Sequence, residues 1–154
     1  MLSAESLAIL GGAMALAGGL AGSAIGMAIA GCAGVATLSE DSGQFRSVLV
    51  LASLPMTQTF YGLIILILIL TSAVPKIEAM GEPGAVGYAV LSCGAIGATA
   101  ELISAIYQGV VCAAGIALLP KTRGAIFTAS MMLAVYIELV GVLGLVFTIM
   151  ALSI

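Results

Sequence analysis

Glu138 stands in the middle of an otherwise apolar run, Gly124 to Ile154. An acid at bilayer depth costs roughly 2.5–3.5 kcal/mol on insertion scales, so it is kept where it faces protein or an ion path. Two other runs carry polar groups at comparable depth. In one, Leu54, Thr57, Gln58 and Tyr61 follow spacings of i, i+3, i+4 and i+7, which is one face of a helix. Pro55 lies within this face and has no N–H, so the Leu51 carbonyl loses its donor, and a kink there loosens nearby carbonyls, including that of Leu54. In the other, Gln108 is the main mid-span amide. A carboxylate, two amide carbonyls, a hydroxyl and a backbone carbonyl form an all-oxygen set with one negative charge. Hard cations take oxygen ligands, and one carboxylate leaves a bound Na⁺ neutral. A proton site needs only a carboxyl and one or two hydrogen-bond partners, so the extra amides favour a metal cation. Taken singly, each amide is equally interhelical glue, worth about 0.6–2 kcal/mol.

The elements that position these residues are membrane spans. The chain has 154 residues, of which 62% are hydrophobic and 7% charged, and its mean hydropathy is +1.31. A soluble domain is about 25% charged. Apolar runs fall at about 7–37, 45–73, 85–119 and 124–153, each longer than the roughly 20 residues that cross hydrocarbon. Breakers at Ser39–Gly43, Pro75–Gly84 and Pro120–Gly124 separate them. The expected fold is an all-α membrane protein with four transmembrane helices in two hairpins, residues 1–80 and 81–154. Arg46, Lys121 and Arg123 flank the first and third loops, and only Lys76 the second. The positive-inside rule then puts loops 38–44 and 120–123 in the cytoplasm and both termini outside. The stretch before Leu7 has no Lys or Arg, so it lacks the positive region of a signal peptide and the first span is expected to be retained.

The halves resemble each other. Gly34-Val35-Ala36-Thr37-Leu38 matches Gly115-Ile116-Ala117-Leu118-Leu119, and Gly/Ala-rich spans alternate with Leu/Ile/Val-rich ones. This is the pattern of a hairpin duplicated in parallel orientation. Gly18, Gly22, Gly26 and Ala30 recur every four residues, and Gly97, Ala105, Gly109 and Ala113 line the third span. Small-xxx-small stripes let helix backbones approach closely. Two such stripes predict a tight inner layer with bulkier spans outside, either within one bundle or in a ring of copies.

Other chemistry is excluded. Four Lys and Arg and a net charge of −3 provide no basic patch for nucleic acid. Without histidine there is no zinc or haem site, and no resident cofactor is expected. Cys32, Cys93 and Cys112 read as small buried apolar residues. Gly115 to Thr122, GIALLPKT, brushes against the phosphate-loop pattern, but Pro120 stands where the second glycine is needed.

Leu54-Pro55-Met56-Thr57-Gln58-Thr59-Phe60-Tyr61-Gly62 resembles the second-helix motif of the membrane-rotor proteolipid (c or K type) of bacterial Na⁺-translocating V-type ATPases. Tyr107-Gln108-Gly109, running on to Ala113-Ala114-Gly115-Ile116, resembles the third helix, and Glu138 followed by Leu143-Gly144 the fourth. The resemblance spans essentially the whole chain. It implies a closed homo-oligomeric ring with one essential glutamate per copy, Glu138. It implies Na⁺ bound by Thr57, Gln58, Gln108, Glu138 and the Leu54 backbone carbonyl, with Tyr61 hydrogen-bonded to the glutamate. It also implies a non-catalytic subunit of the plasma membrane that meets a central stalk at its cytoplasmic loops. Since the spans hold no deep Lys or Arg, the counter-charge for an emptied Glu138 must come from a stator subunit. Glu101 departs from this pattern. It takes the place of a small residue, seven positions before Gln108 and about 10 Å further out on the same face. A protonated acid hydrogen-bonded within the ring wall is expected there, with a second ion or proton site, or a lipid-headgroup or lumen contact, as the alternatives. The rivals for the whole chain are a proton-carrying rotor subunit, a small secondary transporter and a transport-free tetraspan scaffold.

Overall fold

The computed structural model describes residues 2–81 and 83–152. All the regular structure among them is helical. Four helices are long and apolar enough to cross a membrane: α1 (Ala4–Glu40), α2 (Ser42–Ala79), α3 (Gly84–Thr122) and α4 (Phe127–Leu152). Each outruns the roughly 20 residues that cross a bilayer's hydrocarbon, α4 by the least with 26 residues, so helix ends project or tilt. Ser153, the expected last residue of the fourth span, lies outside the described residues, as does Glu82 in the middle connection.

Local chemistry sets the helix ends. The Ser3 hydroxyl accepts the Ser6 N–H at 3.1 Å and caps α1, with Glu5 in the first turn. Asp41 ends α1 in an extended conformation and accepts the Gly43 N–H at 2.9 Å, which starts α2. Arg123 (φ 52°) and Gly124 (φ 84°) turn the chain after α3 in the left-handed region.

Three prolines lie inside helices, and each is resolved differently. Pro55 sits in a 3₁₀ turn, Leu54–Met56, where the expected kink falls. The breaker pattern ends the second span at Ala73, but α2 continues to Ala79. A π turn over Ile69–Ala73 widens the helix just before Pro75, and the Val74 N–H reaches back to the Ile69 carbonyl. The third span likewise runs through Pro120 to Thr122 instead of ending at Leu119. The N–H that Pro120 lacks would have served the Ile116 carbonyl, and the Thr37 hydroxyl of α1 donates to that carbonyl at 3.0 Å. The first connection is correspondingly shorter than the expected loop 38–44, while the third, residues 123–126, is as long as the expected loop 120–123 but lies three residues later, so α4 starts at Phe127 and not at Gly124.

α1 and α3 form the most extensive interface, and they run parallel. Gly11 meets Leu91 and Gly94, Gly18 meets Ala98, Gly22 meets Leu102, and Gly26 meets Gly109. A methyl on Gly94 would strike the Gly11 backbone, and one on Gly109 the Gly26 backbone. A second small-residue row on α1 faces α2. Gly12 abuts Leu66, Gly19 abuts the Gln58 carbonyl, and Gly62 of α2 abuts the Ala15 carbonyl. α1 is therefore approached at backbone distance on two sides, where the spacing predicts one stripe. Gly97 of the third span's stripe faces chiefly Ile65 of α2 and Thr148 of α4, with Ala15 of α1 further off. α4 packs antiparallel on α3, with Gly115 against Ser130 and Gly144 against Ala100. Of the cysteines only Cys112 is buried; Cys32 is exposed and Cys93 half-buried, because the outward faces of a membrane helix need no polar residues.

Gly94→Ala and Gly109→Ala should each destabilise the protein by about 1–3 kcal/mol. Gly31→Ala, whose methyl meets nothing within 4 Å, should be neutral or stabilise by up to about 1 kcal/mol through helix propensity. Thermal unfolding midpoints in detergent check the opposite signs.

Candidate ion-binding site

The two small-residue rows of α1 hold α2 and α3 so that Gln58 and Gln108 face each other, both fully buried. Gln58 Nε2 donates to Gln108 Oε1 at 3.0 Å and to Ser104 Oγ at 3.1 Å. Gln108 Nε2 in turn donates to Glu138 Oε2 and to the Ala134 carbonyl, both at 3.3 Å. From the other side, the Tyr61 hydroxyl donates to Glu138 Oε1 at 2.9 Å. The chain ends on α2, where Thr57 Oγ1 lies 3.2 Å from Gln58 Oε1 and 3.2 Å from the Leu54 carbonyl.

All six residues singled out by type and spacing thus join one polar chain across α2, α3 and α4. Glu138 has both oxygens engaged, which is what a carboxylate at membrane depth requires. It is half-buried, and its helix neighbours Val135, Tyr136, Leu139 and Val140 are exposed. The carboxylate therefore sits at the rim of the bundle with its hydrogen bonds directed inward. The amide oxygens of Gln58 and Gln108, the Thr57 hydroxyl and the Leu54 carbonyl are the neutral oxygens a cation could take beside it. One carboxylate with neutral oxygens suits a monovalent ion, and no group of three His, Cys, Asp or Glu fit for a metal occurs among the described residues.

Ser104 was not among the residues expected here. Its hydroxyl accepts from Gln58 and donates to the Ile137 carbonyl at 3.0 Å, tying the chain to the α4 backbone. The available signal was its position four residues before Gln108 on the same face of α3. Glu101, three residues earlier still, is buried as expected. Neither of its oxygens has a hydrogen-bond partner among the described residues of this chain.

Fold and site together define a membrane protein of duplicated helical hairpins, with a carboxylate, Glu138, hydrogen-bonded by one glutamine amide and one tyrosine. Residues 10–69, the greater part of the first hairpin, match the family of the ATP synthase C subunit. Over 125 residues the chain is 41% identical to the A-type ATP synthase subunit K of Methanocaldococcus jannaschii, an overlap covering 71% of this chain and 55% of that protein. The chain belongs to the c/K proteolipids of the V/A-type ATPases, and it spans about half the length of the curated relative it matches.

Ser104→Ala removes an acceptor for Gln58 and leaves a buried donor short of a partner. It should cost about 1–2 kcal/mol in thermal unfolding. Ser39→Ala, whose hydroxyl is exposed on its own helix end, should cost nothing measurable.

Proposed function

We propose that the chain is the ion-carrying member of a rotor ring, moving Na⁺ across the plasma membrane by rotation coupled to ATP turnover in partner subunits. The observation that carries this is the half-buried Glu138 carboxylate, hydrogen-bonded by Tyr61 from α2 and by Gln108 from α3. A loaded site is neutral and can face lipid. An emptied site carries a charge that lipid rejects, so it must stay at an aqueous path or beside a cationic side chain. Arg46, Lys76, Lys121 and Arg123 all lie near helix ends, so a stator subunit supplies that cation. Identical copies close the ring, and a central stalk meets the loops on the cytoplasmic side, with both termini outside. A potential of 100 mV contributes about 2.3 kcal/mol per charge moved, which makes several ions per ATP a sensible ratio. Catalysis belongs to the partner subunits, because no phosphate-binding loop survives Pro120.

Na⁺ is favoured over H⁺ by the surplus of neutral oxygens around the one carboxylate. The alternative is a proton-carrying ring with the same architecture. A carbodiimide label distinguishes them, since it attacks the protonated acid. Na⁺ should protect Glu138, and the half-protecting concentration should rise about tenfold per unit fall in pH where H⁺ competes one for one. Labelling indifferent to Na⁺ at every pH would leave the proton version. Tyr61→Phe should raise the half-protecting Na⁺ concentration about ten- to a hundredfold, as expected for one hydrogen bond to a charged acceptor, about 1.5–3 kcal/mol. Electron microscopy of the detergent-extracted protein separates a ring from a dimeric transporter.

A further inference from the structure

Glu101 is a buried acid outside the polar chain just described. It is 0% exposed and near the middle of α3, and neither of its oxygens has a hydrogen-bond partner among the described residues. Its carboxylate is aimed at α4, where Gly141 and Gly144 present no side chain. A Cβ on Gly141 would stand 2.7 Å from Glu101 Oε2, 3.2 Å from Ser104 Oγ and 3.4 Å from Gln58 Cγ. One on Gly144 would stand 3.7 Å from Glu101 Oε1. Two glycines a turn apart therefore leave a niche that the carboxylate enters from α3 and that Ser104 borders. The Ser104 hydroxyl donates to the Ile137 carbonyl of α4 at 3.0 Å.

An ionised carboxylate sealed from water and from partners is too costly to persist. Something must neutralise it, and a single carboxylate neutralises a monovalent cation. We propose that Glu101, with the Ser104 hydroxyl and the Ile137 carbonyl as neutral oxygens, forms a second monovalent-cation site, for H⁺ or Na⁺, about one turn of α4 from Glu138. The two sites share a chain of hydrogen bonds. Ser104 Oγ accepts from Gln58, Gln58 donates to Gln108, and Gln108 donates to Glu138. Each copy then carries two neutralising cations, one at the rim and one sealed in the wall. The proposal rests on the Glu138 reading only in using Na⁺ as one of its probes.

Two measurements on the assembled full-length protein, at alkaline pH and saturating Na⁺, decide it. One counts bound radioactive Na⁺ per chain by equilibrium dialysis. The other follows the carbonyl stretch of protonated carboxyl groups by infrared difference spectroscopy. If Na⁺ occupies the niche, the wild type binds two Na⁺ per chain and Glu101→Gln binds one. If H⁺ occupies it, the wild type binds one Na⁺ and still shows a protonated-carboxyl band. That band shifts in D₂O, is lost in Glu101→Gln and persists in Glu138→Gln. Gly141→Ala, which narrows the niche without removing the acid, should shift the band or lower the count. One Na⁺ per chain with no such band overturns the proposal, as does a Gly141→Ala protein identical to wild type in both readouts. Failure of the Glu138 reading gives a different result, a Na⁺ count unchanged in Glu138→Gln.

Discussion

The backbone of α1 is approached at contact distance from two sides, and the rest of the bundle depends on that. Gly11, Gly22 and Gly26 admit α3, while Gly12 and Gly19 admit α2. Dispersion and backbone packing hold membrane helices together, since lipid supplies no hydrophobic drive between them. Side chains on α1 would push both neighbours outward by several ångströms. Gln58 and Gln108 could not then meet at 3.0 Å, and Glu138 would lose its link to the interior. The glycines do no chemistry, yet they set the distance across which it occurs.

Inside that frame, polar groups are matched almost one for one. The amide of Gln58 is shared between Gln108 and Ser104, and that of Gln108 between Glu138 and the Ala134 carbonyl. The carbonyl freed by Pro120 is taken by Thr37. Hydrocarbon offers no hydrogen bonds, so such pairing is what permits irregular backbone and amides at this depth. Against this background the unpartnered carboxylate of Glu101 stands out, and the two glycines facing it on α4 leave the room it occupies.

The prolines show how far local rules reach. Each removes one N–H. Around Pro55 the backbone tightens, and before Pro75 it widens. At Pro120 a hydroxyl from another helix compensates. A helix-breaking rule reads all three as stops or kinks, and none of the three ends its span. Pro75 and Pro120 are absorbed because a π turn just before the one and a distant threonine for the other accommodate the deficit, and that threonine is not visible near its proline.

The sequence by itself determined the four spans, the doubled hairpin, and the choice of Glu138, Gln58, Gln108, Thr57, Leu54 and Tyr61 as the residues that meet in one polar chain. These follow from composition and period, which act through the chain's own covalent geometry. The face each glycine presents was left open, because a four-residue repeat drifts around a helix and serves two neighbours as readily as one. Ser104 was left open as well, since a lone serine in an apolar helix bonds its own backbone as easily as a neighbour's amide. The tertiary structure alone decided that Ser104 joins the chain, that Gly97 turns toward α2 and α4, and that Glu101 points at the glycines of α4. Those outcomes depend on which helices lie side by side and in what register, and register is set by contacts between residues far apart in the chain.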